Sequence, residues 1–127
     1  MASELIFVGL GLSGTDGMTV KAMNALRECD KIYAEFYTSV LIGTKPEDLE
    51  AAIGKKIHIL YRSQVEECDD IIADAKTMRV GFITAGDTMS ATTHVDLRIQ
   101  ASEAGIPVRV FHGISIFSAC PTSLGLQ

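Results

Sequence analysis

Three glycine-bearing segments of this sequence carry residue types that bind ligands through backbone groups, carboxylates and hydroxyls. Residues 9–14 (GLGLSG) follow the apolar run LIFV, residues 84–94 (TAGDTMSATTH) follow VGFI, and residues 112–118 (HGISIFS) follow VRVF. Glycine lets the backbone approach a ligand closely, while carboxylates and hydroxyls bind its polar groups. Because open parallel sheets bind ligands outside the carboxyl ends of their strands, these segments predict one shared binding site.

The first segment also matches the dinucleotide-binding pattern G-x-G-x-x-G, at Gly9, Gly11 and Gly14. Glu35, near the end of the second predicted strand, falls roughly where a ribose-binding acid would lie. In that class of site the helix begins inside the glycine motif, so that its N-terminus faces the pyrophosphate. Here residues 15–17 intervene before any good helix former. A NAD-binding oxidoreductase domain is therefore the weaker, alternative interpretation.

The histidines predict neither a metal centre nor a nucleophilic triad. His94 and His112 lie near the predicted site, but no spacing joins them to Cys or Asp residues as metal ligands would be joined. Ser115 and Ser118 form no recognisable Ser-His-Asp order. We therefore expect no bound metal and no catalytic triad.

The composition favours a single cytoplasmic domain. The 127 residues are 47% hydrophobic and carry a net charge of −5, a balance that supports a packed core. No Lys/Arg cluster is present, which argues against nucleic-acid binding. No apolar run approaches the ~20 residues that a membrane span needs, and no signal peptide is recognisable. The three cysteines are too widely spaced for a disulfide framework and fit a reducing compartment: Cys29, Cys68 and Cys120.

Short apolar runs alternate with helical patterns along the chain. The predicted strands cover residues 5–8, 31–36, 56–60, 79–84 and 107–111, and the predicted helices cover residues 19–28, 46–53, 63–76 and 92–104. Alternation at this pitch implies right-handed crossovers. We predict an α/β fold with an open, mostly parallel five-stranded sheet and helices on both faces.

Local signals define several helix ends. Thr19 is a good N-cap, Pro46 suits a first helical turn, and Gly54 is placed to end a helix. The helix that follows Ser115 is expected to be barely formed. In the helix before it, four apolar residues are expected to be partly buried: Val95, Leu97, Ile99 and Ala101.

Four short blocks, in order along the chain, carry a family likeness. They are FVGLGL at 7–12, AEFYTS at 34–39, GD at 86–87 with ATTH at 91–94, and SI at 115–116 with SA at 118–119. Together they resemble the diphthine synthase branch of the tetrapyrrole (corrin/porphyrin) methylase superfamily. The AEFYTS and ATTH blocks are specific to this branch, whereas the glycine loop alone is not. The resemblance covers essentially the whole chain.

The resemblance implies a methyltransferase that binds S-adenosylmethionine in a cleft between an N-terminal and a C-terminal α/β domain and works as a homodimer. Its implied substrate is the modified histidine of elongation factor 2, in diphthamide biosynthesis. Residues 1–127 would form the N-terminal domain, with the C-terminal domain of the family absent. The implied cofactor contacts are Leu12, Asp87, Ser90, Ser115 and Ile116.

Two residues depart from the family pattern. Thr88 stands where proline is common, and Ser90 stands where an apolar residue is common, so that a side-chain contact at residue 90 would differ. Methyl transfer from a sulfonium is an in-line displacement that needs little acid–base help, so no catalytic residue is expected. Because members of the family are longer than this chain, a non-catalytic isolated domain is a further alternative.

Overall fold

The structure is a computed structural model that describes residues 3–12, 15–35, 45–61, 69–88 and 94–126. The strands are β1 (Glu4–Gly9), β2 (Lys31–Glu35), β3 (Ile57–Leu60), β4 (Arg79–Thr84) and β5 (Val108–Phe111). The helices are α1 (Val20–Arg27), α2 (Pro46–Ile53), α3 (Asp69–Ala75), α4 (Val95–Glu103) and α5 (Ile116–Ser123), and Thr15–Gly17 form a single 3₁₀ turn. The predicted strand residue 36 and helix residues 63–68 and 92–93 lie outside the described residues.

The described strands form one parallel sheet in the order β3-β2-β4-β1-β5. The predicted fold class, an α/β protein with an open, five-stranded parallel sheet, is therefore confirmed. β1 is an interior strand, and its residue Phe7 pairs with Phe82 of β4 on one side and Val110 of β5 on the other. Residues 5–8 of β1 are 0% exposed. Burial on both faces of the sheet explains why this strand is a continuous apolar run.

Helices cover both faces of the sheet, as predicted. Leu26 of α1 and Leu49 of α2 pack on one face, whereas Ile71 of α3 and Leu97 of α4 pack on the other. The connections from β1 through β2 to β3 run in one direction along the sheet, and those from β3 through β4 to β5 run back. Right-handed crossovers in opposite directions place their helices on opposite faces, which accounts for this division.

Three predicted helix ends are confirmed. The Thr19 hydroxyl accepts a hydrogen bond from the Ala22 N–H at 3.1 Å and caps α1. Pro46 is the first residue of α2, where its missing N–H leaves no intrahelical bond unmade. Gly54 ends α2 at a φ of 79°, in the left-handed region that favours glycine.

The expected burial of α4 is correct for two residues and wrong for the other two. Leu97 and Ala101 are buried, as predicted, but Val95 and Ile99 are 45% and 48% exposed. Residues four apart share one face of a helix. The face that carries Leu97 and Ala101 meets the sheet, and Val95 and Ile99 lie off it.

The expectation of a barely formed final helix is wrong. α5 is eight residues long and continues through Pro121. The Ser115 hydroxyl accepts a hydrogen bond from the Phe117 N–H at 3.2 Å and caps the first turn, and the Leu124 N–H bonds to the Cys120 carbonyl at 3.2 Å beyond the last. These terminal bonds support the helix although Pro121 supplies no N–H of its own.

Candidate functional site

The candidate site lies at the carboxyl edge of the sheet, where the loops that follow β1, β4 and β5 meet. β1 and β4 are neighbours, but their chains continue into α1 and α4 on opposite faces of the sheet. Open α/β sheets bind their ligands at such a switch point. The topology therefore brings together the three segments that the sequence singled out.

Gly11 and Gly86 join the first two loops through a pair of backbone hydrogen bonds. The Gly11 N–H donates to the Gly86 carbonyl at 3.0 Å, and the Gly86 N–H donates to the Gly11 carbonyl at 2.8 Å. Their φ angles are 80° and 69°, values that L side chains rarely adopt. The bridge therefore requires glycine at both positions, and its two hydrogen bonds fix the separation of the loops that follow β1 and β4.

A second contact joins all three loops through Gly9, Gly86 and Gly113. A Cβ atom on Gly9 would lie 2.5 Å from the Gly86 carbonyl oxygen and 2.8 Å from the Gly113 nitrogen. A Cβ atom on Gly113 would collide with the same Gly86 oxygen and lie 2.7 Å from the Gly9 oxygen. The backbones can approach this closely only without side chains. Gly9 and Gly113 therefore allow the loops to pack against each other. The sequence pattern did not distinguish this role from contact with a ligand.

Asp87 connects the loop after β4 to the loop after β5. Its Oδ1 accepts a hydrogen bond from the Gly113 N–H at 3.0 Å and lies 3.1 Å from Nδ1 of His112. The Asp87 side chain is 24% exposed, and that of His112 is 77% exposed. No residue spacing in the sequence predicts this pair, because β4 and β5 are separated in the sheet by β1.

Glu35 and His94 form a second carboxylate–imidazole pair, deeper in the fold. Oε1 of Glu35 lies 3.3 Å from Nε2 of His94, and both side chains are 0% exposed. The His94 ring packs against Phe82 in a T-shaped arrangement, with a centroid distance of 4.9 Å. Burial lowers the pKa of His94, against the opposing effect of the nearby Glu35 carboxylate. Because Glu35 is buried and paired, its position does not favour the role of a ribose-binding acid.

The start of α1 also does not favour dinucleotide binding. The 3₁₀ turn Thr15–Gly17 follows the glycine segment, and α1 begins only at Val20. A pyrophosphate would need the helix N-terminus within the glycine motif. Gly14, the third glycine of the pattern, lies outside the described residues.

Two buried hydroxyls at the same edge, those of Thr84 and Thr88, have no hydrogen-bond partner among the described residues. Thr84 ends β4 and Thr88 follows Asp87, and each is 3% exposed. Within the part of the chain that the structure describes, neither Oγ1 atom has a hydrogen-bond partner. A buried hydroxyl that bonds to nothing is costly, so such atoms at a loop cluster are suited to receive polar groups of a ligand.

Comparison with known proteins decides the family. The family model described as tetrapyrrole (corrin/porphyrin) methylases matches residues 4–127. The chain belongs to this family. Over 97% of its length it is 49% identical to a curated diphthine synthase from Methanosarcina mazei, and 49% identical to one from Methanocaldococcus jannaschii. A crystal structure of a diphthine synthase matches with a TM-score of 0.94 at 40% identity, covering 98% of this chain and 50% of that one.

The similarity to the diphthine synthase branch that the motifs predicted is thus confirmed for this tetrapyrrole methylase. The chain covers 46% of the Methanosarcina mazei relative and 48% of the Methanocaldococcus jannaschii relative. It therefore spans about half the length of the curated relatives that it matches.

Four of the five residues predicted to contact a cofactor in this methylase lie in the three loops or directly beside them. Leu12 follows the glycine bridge and is 39% exposed, and Ile116 begins α5 and is 60% exposed. Ser115 caps α5, and Asp87 joins two of the loops. Ser90 lies outside the described residues. No bound molecule tests these assignments, which remain predictions.

Further features of the described residues bear on ligands and surroundings. No group of three or more His, Cys, Asp or Glu side chains among residues 3–12, 15–35, 45–61, 69–88 and 94–126 could hold a metal ion. Over the same ranges, no helix combines the length and apolar composition needed to cross a membrane. α5 has no buried residue, and large apolar side chains on and beside it are exposed: Ile114, Ile116, Phe117, Leu124 and Leu126.

Proposed function

We propose that residues 1–127 form the S-adenosylmethionine-binding N-terminal domain of a methyltransferase of the diphthine synthase type. The proposed substrate is the modified histidine of elongation factor 2, and the proposed pathway is diphthamide biosynthesis in the cytoplasm. The identity of 49% to curated diphthine synthases over 97% of the chain supports this activity. Because those relatives are about twice as long, we further propose that a C-terminal domain supplies the other wall of the cleft.

The observation that carries the proposal is the meeting of three loops at the switch point of the sheet. The exposed side chains of Leu12 and Ile116 offer apolar surface suited to an adenine ring. Thr84 and Thr88 offer buried hydroxyls for polar groups of the same ligand. The hydrogen bonds that Asp87 makes to described residues all use Oδ1, so we assign Oδ2 to the polar end of the cofactor.

When bound, S-adenosylmethionine supplies a methyl group that leaves its sulfonium in an in-line displacement. The work proposed for this chain is to bind and orient. The glycine contacts hold the loop backbones in fixed relative positions, which preserves the alignment that such a displacement needs. Ser115 and Ser90 are assigned to the cofactor from their place in the family motif, and Ser115 also caps α5.

Isothermal titration calorimetry of the purified chain with S-adenosylmethionine, and separately with NAD, tests the ligand. We expect binding of the adenosyl cofactor and no heat from NAD. Binding of NAD alone would overturn the proposal in favour of an oxidoreductase domain. Binding of neither would show that this chain does not hold the cofactor unaided and would shift the binding role to the second domain. Light scattering on the same samples tests the proposed homodimer.

Asp87→Asn tests the assigned carboxylate. Asparagine can still accept the Gly113 N–H but carries no charge, so we expect affinity for S-adenosylmethionine to fall about tenfold. The matched control is Asp96→Asn, an exposed acid in the first turn of α4. Unchanged affinity in Asp87→Asn would remove Asp87 from the proposed site.

A further inference from the structure

The pair formed by Asp87 and His112 is not needed to hold the fold together. Oδ1 of Asp87 also accepts a hydrogen bond from the Gly113 N–H, which connects the two loops without the His112 side chain. The His112 side chain is 77% exposed, and an exposed charge pair contributes little to stability. The His112 imidazole lies 3.1 Å from the Asp87 carboxylate and beside the proposed ligand site, which is the arrangement of a general base.

The carboxylate determines what the imidazole can do. When Nδ1 donates its proton to Asp87, the lone pair of the neutral ring lies on Nε2, at the opposite side of the ring. The same carboxylate stabilises the imidazolium that forms when Nε2 takes up a proton. Nε2 of an exposed ring remains accessible to a ligand at this edge of the sheet.

Few other charges bear on this imidazole within the described residues. Lys21 of α1 and Arg109 of β5 lie over the ring of Phe111, at 5.9 Å and 5.3 Å from its centroid. Phe111 is the last residue of β5, and His112 follows the strand. Asp87 is the charged group that lies at hydrogen-bonding distance from His112.

We propose that His112, oriented by Asp87, is the base that removes a proton from the amino nitrogen of the modified histidine, which is the acceptor we propose for the methyl group. The inference rests on the proposed function. The nitrogen lone pair forms the new N–C bond, and the electrons of the breaking C–S bond return to sulfur. The nitrogen is then an ammonium, and its proton passes to Nε2 of His112, from which water removes it. From the sequence we expected no catalytic residue, because in-line displacement from a sulfonium needs little acid–base help.

The test measures affinities at pH 8, where histidine side chains are ordinarily neutral. The first ligand is sinefungin, an analogue that carries a primary amine where S-adenosylmethionine carries its methyl sulfonium. The second is S-adenosylhomocysteine, which has no group there. In His112→Asn we expect the Kd of sinefungin to rise about tenfold, because a charge-assisted hydrogen bond is lost. The Kd of S-adenosylhomocysteine should stay within a factor of about two.

The control variant is His58→Asn, in the outermost strand β3, which should bind both ligands as the wild type does. An equal rise of both constants in His112→Asn would overturn the proposal, since it would show that His112 acts through the shape of the loops. Two unchanged constants would also overturn it, because the imidazole would then lie away from the methyl position. If the wild type binds neither ligand, the proposed function itself fails and the assignment of the base fails with it.

Discussion

The two edges of the sheet differ in how their polar groups are partnered. At the amino edge, both carboxylate oxygens of Glu4 accept hydrogen bonds from the Arg109 guanidinium, at 2.8 and 2.9 Å. Nε of Arg79 lies 2.8 Å from Oε1 of Glu4, as an ion pair without hydrogen-bond geometry. Glu4 is only 8% exposed, so its charge is held inside the fold by two cations.

A second cluster at the amino edge is equally well partnered. Asp74 of α3 accepts hydrogen bonds from Lys31 at 2.9 Å and from the Tyr33 hydroxyl at 2.5 Å. Burial opposes ionisation of Asp74, but these bonds outweigh it and lower the pKa of the carboxyl. The charges of this edge are therefore engaged in connecting the strands and α3 to one another.

The carboxyl edge has the opposite character. Backbone contacts between glycines replace side-chain packing there, the hydroxyls of Thr84 and Thr88 have no partner among the described residues, and Leu12 and Ile116 are exposed. Charges at the amino edge are thus engaged within the fold, whereas at the carboxyl edge hydroxyls without partners among the described residues and exposed apolar side chains remain. Variants at the two edges should therefore affect folding and binding differently.

The largest effect is expected from Gly9→Ala. Its Cβ would lie 2.5 Å from the Gly86 carbonyl oxygen, so the loops after β1 and β4 must move apart. Overpacking of this kind costs about 3 kcal/mol, and we expect the free energy of unfolding to fall by that amount in urea denaturation. Affinity for S-adenosylmethionine should be lost with it, because the loops no longer meet.

The control for Gly9→Ala is Gly54→Ala. A Cβ on Gly54 meets nothing within 4 Å, and only its φ of 79° penalises alanine. We expect a cost of about 1 kcal/mol there, with unchanged affinity. Equal costs in the two variants would refute the steric account of the three-glycine contact.

Glu4→Gln is expected to have the next largest effect, and on stability alone. The change removes the charge that Arg79 and Arg109 share, so we expect unfolding free energy to fall by about 2 kcal/mol. Affinity for S-adenosylmethionine should not change, since Glu4 lies at the far end of β1 from Gly9. The control is Glu28→Gln, because Glu28 is 66% exposed and 3.5 Å from Arg79. Weakened cofactor binding in Glu4→Gln would contradict the division between the edges.

The sequence sufficed for the order of elements because each depends on local signals. Apolar runs, an N-cap at Thr19 and a stop at Gly54 are read within a few residues. The pairing of Asp87 with His112 could not be read in this way. The two residues are 25 positions apart in the sequence, and the strands that precede them, β4 and β5, are separated in the sheet by β1.

The same limit applies to the buried pair at the other side of the switch point. Glu35 lies at the end of β2, and His94 lies directly before α4. Their contact arises only when β2 and β4 pair and α4 folds over them, which brings His94 onto Phe82. The pairing of the strands and the packing of the helices on them, rather than residue type, therefore determine which polar residues of the candidate site have partners.

The smallest effect is expected from Thr88→Val, and its sign separates folding from binding. Valine has nearly the same shape as threonine and removes a buried hydroxyl that has no partner among the described residues. We expect the free energy of unfolding to stay constant or rise by up to about 1 kcal/mol. Affinity for S-adenosylmethionine should fall about fivefold, because the proposed site assigns this hydroxyl to a polar group of the ligand.

Thr77→Val serves as the control at the amino edge. Thr77 is exposed, and its hydroxyl lies 3.4 Å from the Asp74 carbonyl oxygen, so neither stability nor affinity should change by more than about 0.5 kcal/mol. If Thr88→Val instead destabilises the chain and leaves affinity intact, the hydroxyl has a partner inside the fold. The carboxyl edge would then be as fully partnered as the amino edge at this residue, and Thr88 would be removed from the proposed ligand site.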